Sequence, residues 1–165
     1  LLILISTKWR MESFTDKTIT EAGESLHEME SKTGALIVVE DEIVLTEYER
    51  TGIAVDGILT SQLLINIFEK THAADGAVIV RGDRVVSATC YLPLTDSLSL
   101  SKDLGTRHRA AVGISEVSDS LTIVVSEETG KVSIALDGEL YRNVDAEFLK
   151  INWLTFRNVS RTLRK

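Results

Sequence analysis

Ala35-Leu36-Ile37-Val38-Val39 is an unbroken aliphatic run closed by Glu40-Asp41-Glu42. β-Branched residues suit an extended chain, and a run without polar alternation offers no face to water, so it reads as a strand buried on both sides. Such a strand needs a layer above and below it, and the flanking sequence supplies both. Upstream, from Asp16 to Lys32, Ile19, Ala22, Leu26 and Met29 recur at helical spacing, with Gly34 as the stop. Downstream, Ile53 to Ile58 forms a short extended piece. Thr60-Ser61 then caps a helix carrying Leu63, Leu64, Ile67 and Phe68 and ending near Thr71.

Two hairpins extend the sheet. Ala77-Val78-Ile79-Val80 and the run from Arg84 to Leu92 flank Gly82-Asp83, a turn composition that tolerates positive φ, and the sole proline, Pro93, ends the second strand. Leu121 to Val125 and Lys131 to Leu136 flank Glu127-Glu128-Thr129-Gly130 in the same way. Between the hairpins, Thr95 to Gly105 is serine-rich and without period, a surface loop of functional length, and a helix runs from Thr106 to Glu116. Gly138 to Tyr141 adds a short strand, and Asp145 to Phe156 a closing helix. The fold class is therefore α/β (α+β): one globular domain with a central mixed sheet of about six or seven strands flanked by helices. Its boundaries read as an N-terminal segment 1–15, a domain 16–156 and a basic tail 157–165.

Composition narrows the function. The 165 residues carry a formal net charge of −7, and only 5% are aromatic. An acidic chain lacks the excess cations of proteins that live on phosphate backbones, so nucleic acid is not an expected partner and any anion site has to be local. One cysteine, Cys90, excludes an internal disulfide and any multi-cysteine metal site; it reads as a buried strand residue rather than a nucleophile. Leu1-Leu2-Ile3-Leu4-Ile5, followed by Lys8-Trp9-Arg10, reads either as the cytoplasmic edge of a membrane helix lying upstream or as a short helix packing on a partner or on the domain.

Three short stretches carry chemistry. Gly105-Thr106-Arg107-His108-Arg109 places free backbone N–H groups, the positive end of a helix dipole and bidentate donors together, which is a phosphate site; the plainer reading is a solvated basic first turn with Thr106 as N-cap. Asp75-Gly76-Ala77, at a strand edge, suits a metal ion or a ribose hydroxyl, or is a turn. Ser126-Glu127-Glu128-Thr129-Gly130 offers adjacent carboxylates to a hard cation, or is a charged hairpin turn. No Walker loop and no Rossmann fingerprint accompanies them.

In this order, and with Gly34-Ala35-Leu36-Ile37, Gln62 to Phe68 and Cys90-Tyr91-Leu92-Pro93-Leu94, the sequence from about Gly34 through Tyr141 resembles the diadenylate cyclase domain. It is most similar to the membrane-anchored type, whose catalytic domain lies on the cytoplasmic side of N-terminal transmembrane helices in bacteria. The resemblance implies a homodimer that faces through its active sites, joins two ATP molecules into cyclic di-AMP and uses Mn²⁺, Mg²⁺ or Co²⁺, with regulatory protein partners. Carried onto this chain, it implies that Asp75 binds metal and activates the ribose 3′-hydroxyl, while Gly76 and Ala77 present backbone to the nucleotide. Tyr91 and Leu92 would contact the adenine. Gly105, Thr106, Arg107, His108 and Arg109 would hold the triphosphate, and Ser126, Glu127 and Glu128 the phosphate and metal end. One departure stands out. The membrane-anchored type carries a histidine directly before Asp-Gly-Ala, where this chain has Ala74; His72, two residues earlier, is either a displaced ligand or a histidine at a helix C-terminus. The alternative function is a nucleotide-binding regulatory module with little turnover, and a membrane-proximal scaffold is a further one.

Overall fold

The structure, a computed structural model, describes Glu21, residues 33–70 and residues 76–145. The helices expected at 16–32 and 145–156, the segment 1–15 and the tail 157–165 lie essentially outside the described residues, as do His72, Ala74 and Asp75.

Seven strands form one mixed sheet: β1 (Ala35–Val39), β2 (Ile53–Ile58), β3 (Ala77–Arg81), β4 (Arg84–Cys90), β5 (Leu121–Val125), β6 (Val132–Leu136) and β7 (Glu139–Val144). Their order is β2-β4-β3-β1-β5-β6-β7. β1 pairs parallel to β3, with Ile37 opposite Val78, and every other neighbouring pair is antiparallel. β1 is central and buried at all five positions, as its composition requires. The hairpin β3–β4 turns on Gly82 at φ +63°. Asp137-Gly138, with φ of +50° and +79°, joins β6 to β7 in the two-residue geometry that demands positive φ at both positions, which lengthens the short strand expected at Gly138 to Tyr141 into β7.

Alternation along β1 divides the core. Ala35, Ile37 and Val39 face Leu64, Ile67 and Phe68 of helix α2 (Ser61–Lys70), while Leu36 and Val38 face Ala110, Ala111 and Ile114 of helix α3 (Thr106–Val117). Thr60 Oγ1 accepts from the Leu63 N–H at 3.1 Å and Glu21 Oε2 from the Ser61 N–H at 2.6 Å, so the start of α2 is capped. α3 is buried from Ala110 to Ser115 without a gap. On one side it lies on the sheet; on the other, the Thr95 N–H donates to the Arg109 carbonyl at 3.0 Å, and a Cβ on Gly113 would run into the Pro93 carbonyl. The segment from Thr95 to Gly105 is thereby tied down at both ends, with Thr95 and Leu104 buried.

A four-residue helix, α1 (Thr46–Glu49), follows β1. It is too short to register as a period in sequence. An ionic cluster fixes it: the Arg81 guanidinium donates to Glu40 at 2.6 and 3.0 Å and to Glu49 at 2.6 Å, and Glu40 also accepts from the Leu45 N–H at 2.8 Å. The hydrogen bond with Glu40 raises the Arg81 pKa further above its already high value, so the pair stays ionised.

Candidate functional site

The starts of β1, β3 and β6 and the ends of β4, β5 and β7 surround a cavity of about 640 Å³. Its wall includes Gly76, Tyr91, Leu92, Gly105, Thr106, Arg107, His108, Ser126, Glu127 and Glu128, which are up to 52 positions apart in sequence and are brought together by strand order.

Two backbone features shape the apolar end. Gly76 has φ +133°, and a Cβ there would lie 2.6 Å from the Thr89 carbonyl carbon, so only glycine fits. Thr89 itself has φ +57°, rare for a β-branched residue, beside the register shift between Ala77 and Ile79. β4 leaves the ladder there, and the chain beyond Cys90 becomes cavity wall, with Tyr91 72% and Leu94 53% exposed. Ala77, by contrast, is fully buried opposite Cys90 and does not line the cavity. Cys90 is 1% exposed, and burial pushes its thiol pKa up, as expected of a buried strand residue.

The polar end is the first turn of α3. Its N-cap is Gly105, without a side-chain cap hydrogen bond, so Thr106 is the first helical residue rather than the N-cap. The Thr106 hydroxyl is thus not committed to capping, and both residues line the cavity. Arg107 reaches across to Glu127 at 2.8 Å. Its guanidinium lies over Gly34, where a Cβ would sit 2.8 Å from Cζ, so Gly34, without a left-handed φ, serves as a cradle for Arg107. His108 is 8% exposed; burial first, then the positive charges of Arg142 and Arg107, lower its pKa below 6.5, while Asp103 opposes them. A neutral imidazole can donate one hydrogen bond and accept one. Arg109 stands apart from the cavity wall. Residues two apart on a helix point to roughly opposite sides, so Arg107 and Arg109 cannot both face one ligand from this turn.

Sequence reasoning missed Lys131, Arg142, Asn143 and Asp103, which also line the cavity. A register shift in β7 pairs Val132 with Val144 and Ser133 with Arg142, leaving Asn143 at φ +58° as the extra residue. Such a bulge lets neighbouring side chains that would alternate face one cavity. Arg142 meets Asp103 at 3.4 Å. Two cations of the cavity, Arg107 and Arg142, thus stand beside carboxylates. A polyphosphate arriving with a divalent cation matches this set, because the phosphates can take the guanidinium donors while the metal takes carboxylate oxygens. Among the described residues no cluster of three or more metal-ligating side chains exists. Three exposed carboxylates line the cavity, Asp103, Glu127 and Glu128; the first and second pair with Arg142 and Arg107, which makes Glu128 the candidate toward a cation.

A family model described as DisA bacterial checkpoint controller nucleotide-binding matches residues 23–140. The chain is 49% identical over 142 residues to the cyclic di-AMP synthase CdaA of Bacillus subtilis (strain 168), covering 85% of this chain and 52% of that protein. It is 56% identical over 119 residues to a diadenylate cyclase of Listeria monocytogenes serotype 1/2a (strain 10403S), covering 72% and 44%. The chain therefore spans about half the length of these relatives. Among solved structures, a double mutant of DacA from Staphylococcus aureus superposes with a TM-score of 0.80 at 45% identity, over 86% of this chain and 95% of that one.

Proposed function

This chain belongs to the diadenylate cyclase domain family, and from that premise we propose that it condenses two ATP molecules into cyclic di-AMP with release of two pyrophosphates. The observation that carries the proposal is the polarity of the cavity: Tyr91 and Leu92 at one end, Thr106 and Arg107 at a helix start at the other, within about 640 Å³. That arrangement fits a purine at the apolar end and a triphosphate on backbone N–H groups and a guanidinium.

In each half-reaction the ribose 3′-oxygen of one ATP forms a bond to the α-phosphorus of the other. The bond from that phosphorus to the bridging oxygen breaks, and pyrophosphate leaves carrying its electron pair. Asp75 takes the hydroxyl proton. Arg107 and the Thr106 hydroxyl hold the triphosphate in line, Ser126 supports the phosphate end, and the neutral His108 hydrogen-bonds without adding charge. Glu128 and Asp75 would hold a divalent cation, Mn²⁺, Mg²⁺ or Co²⁺, which would supply neutralisation of phosphate charge. Formation of the dinucleotide ring requires each 3′-hydroxyl to attack the α-phosphorus of the other ATP, so two copies of the chain face each other about a two-fold axis. The exposed Tyr91 and Leu94 at the cavity wall suit coverage by the second subunit. We place the domain on the cytoplasmic side of a membrane anchor upstream, following the Leu1 to Ile5 run; no helix among the described residues is long and apolar enough to cross a membrane.

Incubation with ATP and Mn²⁺, with products resolved chromatographically, tests the reading. Cyclic di-AMP is the expected product. ATP binding without product supports the regulatory module instead, and no ATP binding overturns the nucleotide site.

A further inference from the structure

Tyr91 is the point where β4 becomes cavity wall, and what holds it lies outside the cavity. The last ladder partner of β4 on β3 is Ala77, opposite Cys90, and on β2 the pairing begins at Ile53 opposite Ala88. The Tyr91 N–H therefore has no strand to donate to, and it donates instead to Thr51 Oγ1 at 2.8 Å. The same hydroxyl donates to the Tyr48 carbonyl at 2.6 Å, at the end of α1. Next to it, Gly52 lies so close to β4 that a Cβ there would be 2.6 Å from Cys90 Sγ and would collide with the Ala88 carbonyl. The Ser87 hydroxyl bonds to the carbonyls of Glu49 and Ile53, both at 3.0 Å. α1 is held in turn by Arg81 through Glu49 at 2.6 Å.

We propose that Thr51 is a positioning residue for the nucleoside end of the cavity: its hydroxyl, fixed by α1, sets the backbone of Tyr91 and so the direction in which Tyr91 and Leu92 meet the base. The inference rests on the nucleotide reading of the cavity. The effect of Thr51 is expected at the base end, because its hydroxyl bonds the Tyr91 backbone, whereas Thr106 and Arg107 are positioned by α3.

Thr51 is exposed, so Thr51→Val removes the hydroxyl without opening a cavity, and Thr51→Ser keeps it. Loss of one neutral hydrogen bond corresponds to about a two- to tenfold change in an equilibrium. The experiment measures binding of ATP and of inorganic tripolyphosphate, together with exchange of the Tyr91 amide proton, for wild type and both variants. Thr51→Val should weaken ATP binding about two- to tenfold, leave tripolyphosphate binding unchanged and speed exchange at Tyr91; Thr51→Ser should restore all three. Equal ATP binding by wild type and Thr51→Val overturns the role of Thr51, as does a parallel loss of ATP and tripolyphosphate. A wild-type chain that binds tripolyphosphate and ATP equally well, with no gain from the nucleoside, overturns instead the reading of Tyr91 and Leu92 as a base site, and the role of Thr51 falls with it.

Discussion

Substituting Gly34 with alanine separates the cradle of Arg107 from the stability of the fold. The added Cβ would sit 2.8 Å from Cζ and Nη1 of Arg107 and 3.1 Å from Nε, and ordinary contact begins at 3.4 Å, so the guanidinium has to retreat by roughly 0.6 Å. It is the end of a flexible side chain, and Gly34 has no left-handed φ that alanine would resist. Reducing the freedom of the unfolded chain favours alanine by about 0.4–1 kcal/mol. The Arg107–Glu127 pair at risk involves a carboxylate 59% exposed, where an ion pair is worth about 0–1 kcal/mol. The two effects nearly offset, so the unfolding midpoint should move by only a few degrees. Binding should not be spared. Charge-assisted hydrogen bonds contribute about 1.5–3 kcal/mol, and a retreat of that size takes a bond of normal length out of range, so ATP affinity should fall by about ten- to a hundredfold. Calorimetric titration with 3′-deoxy-ATP, which lacks the attacking hydroxyl and cannot turn over, beside a thermal melt, reads both quantities. A double-mutant cycle completes the test: in an Arg107→Ala background, Gly34→Ala should cost no further affinity. A well-folded Gly34→Ala protein that binds ATP like wild type would refute the placement of Arg107 on the triphosphate, and additive losses in the cycle would refute the cradle.

Arg107→Ala alone should weaken ATP binding by about tenfold or more, whereas Arg109→Ala, off the cavity wall, should change it by less than about threefold; comparable losses in titration would show that Arg109 reaches the ligand. Because burial lowers the His108 pKa below 6.5, the unfolded chain binds a proton there before the folded one does. The stability due to this group is present above pH 6.5 and is lost as pH falls from that value through the folded pKa. Denaturant midpoints for His108→Gln should therefore decline less than those of wild type over that acid window, and parallel curves would dismiss the effect. Ala74→His, which restores the residue that the membrane-anchored type carries there, should raise turnover or broaden the range of usable metals, and identical rates with Mn²⁺ and Mg²⁺ would make Ala74 neutral.

The parts of this protein legible in its sequence are those set by neighbours along the chain. A strand without polar alternation, such as β1, has both faces covered whatever its partners are, and Gly82 marks the β3–β4 turn because φ is a local property. Asp137-Gly138 carries a local signal of the same kind, a tight hairpin turn, but the strand expected from sequence ran only from Gly138 to Tyr141, short of β7. The phosphate site proposed at Gly105 to Arg107 rests on a local feature of the same kind: a helix start has its N–H groups and dipole regardless of what surrounds it. α3 shows where the rule ends. It carries no apolar stripe because sheet and loop cover it from both sides, and a helix buried all round has no solvent face to write into its period. What tertiary structure decided is everything that depends on which strand lies beside which. Gly34 and Arg107 are seventy-three positions apart, and only the neighbouring of β1 and β5 beneath α3 makes a missing Cβ at one into space for a guanidinium at the other. Lys131, Arg142 and Asn143 enter the cavity through the β6 register and a bulge in β7, neither of which leaves a mark in residue types. Side-chain direction follows from period and φ within one element, but convergence at a site follows from pairing across elements, whose energies are distributed over the whole sheet and cannot be assigned to any one stretch of sequence.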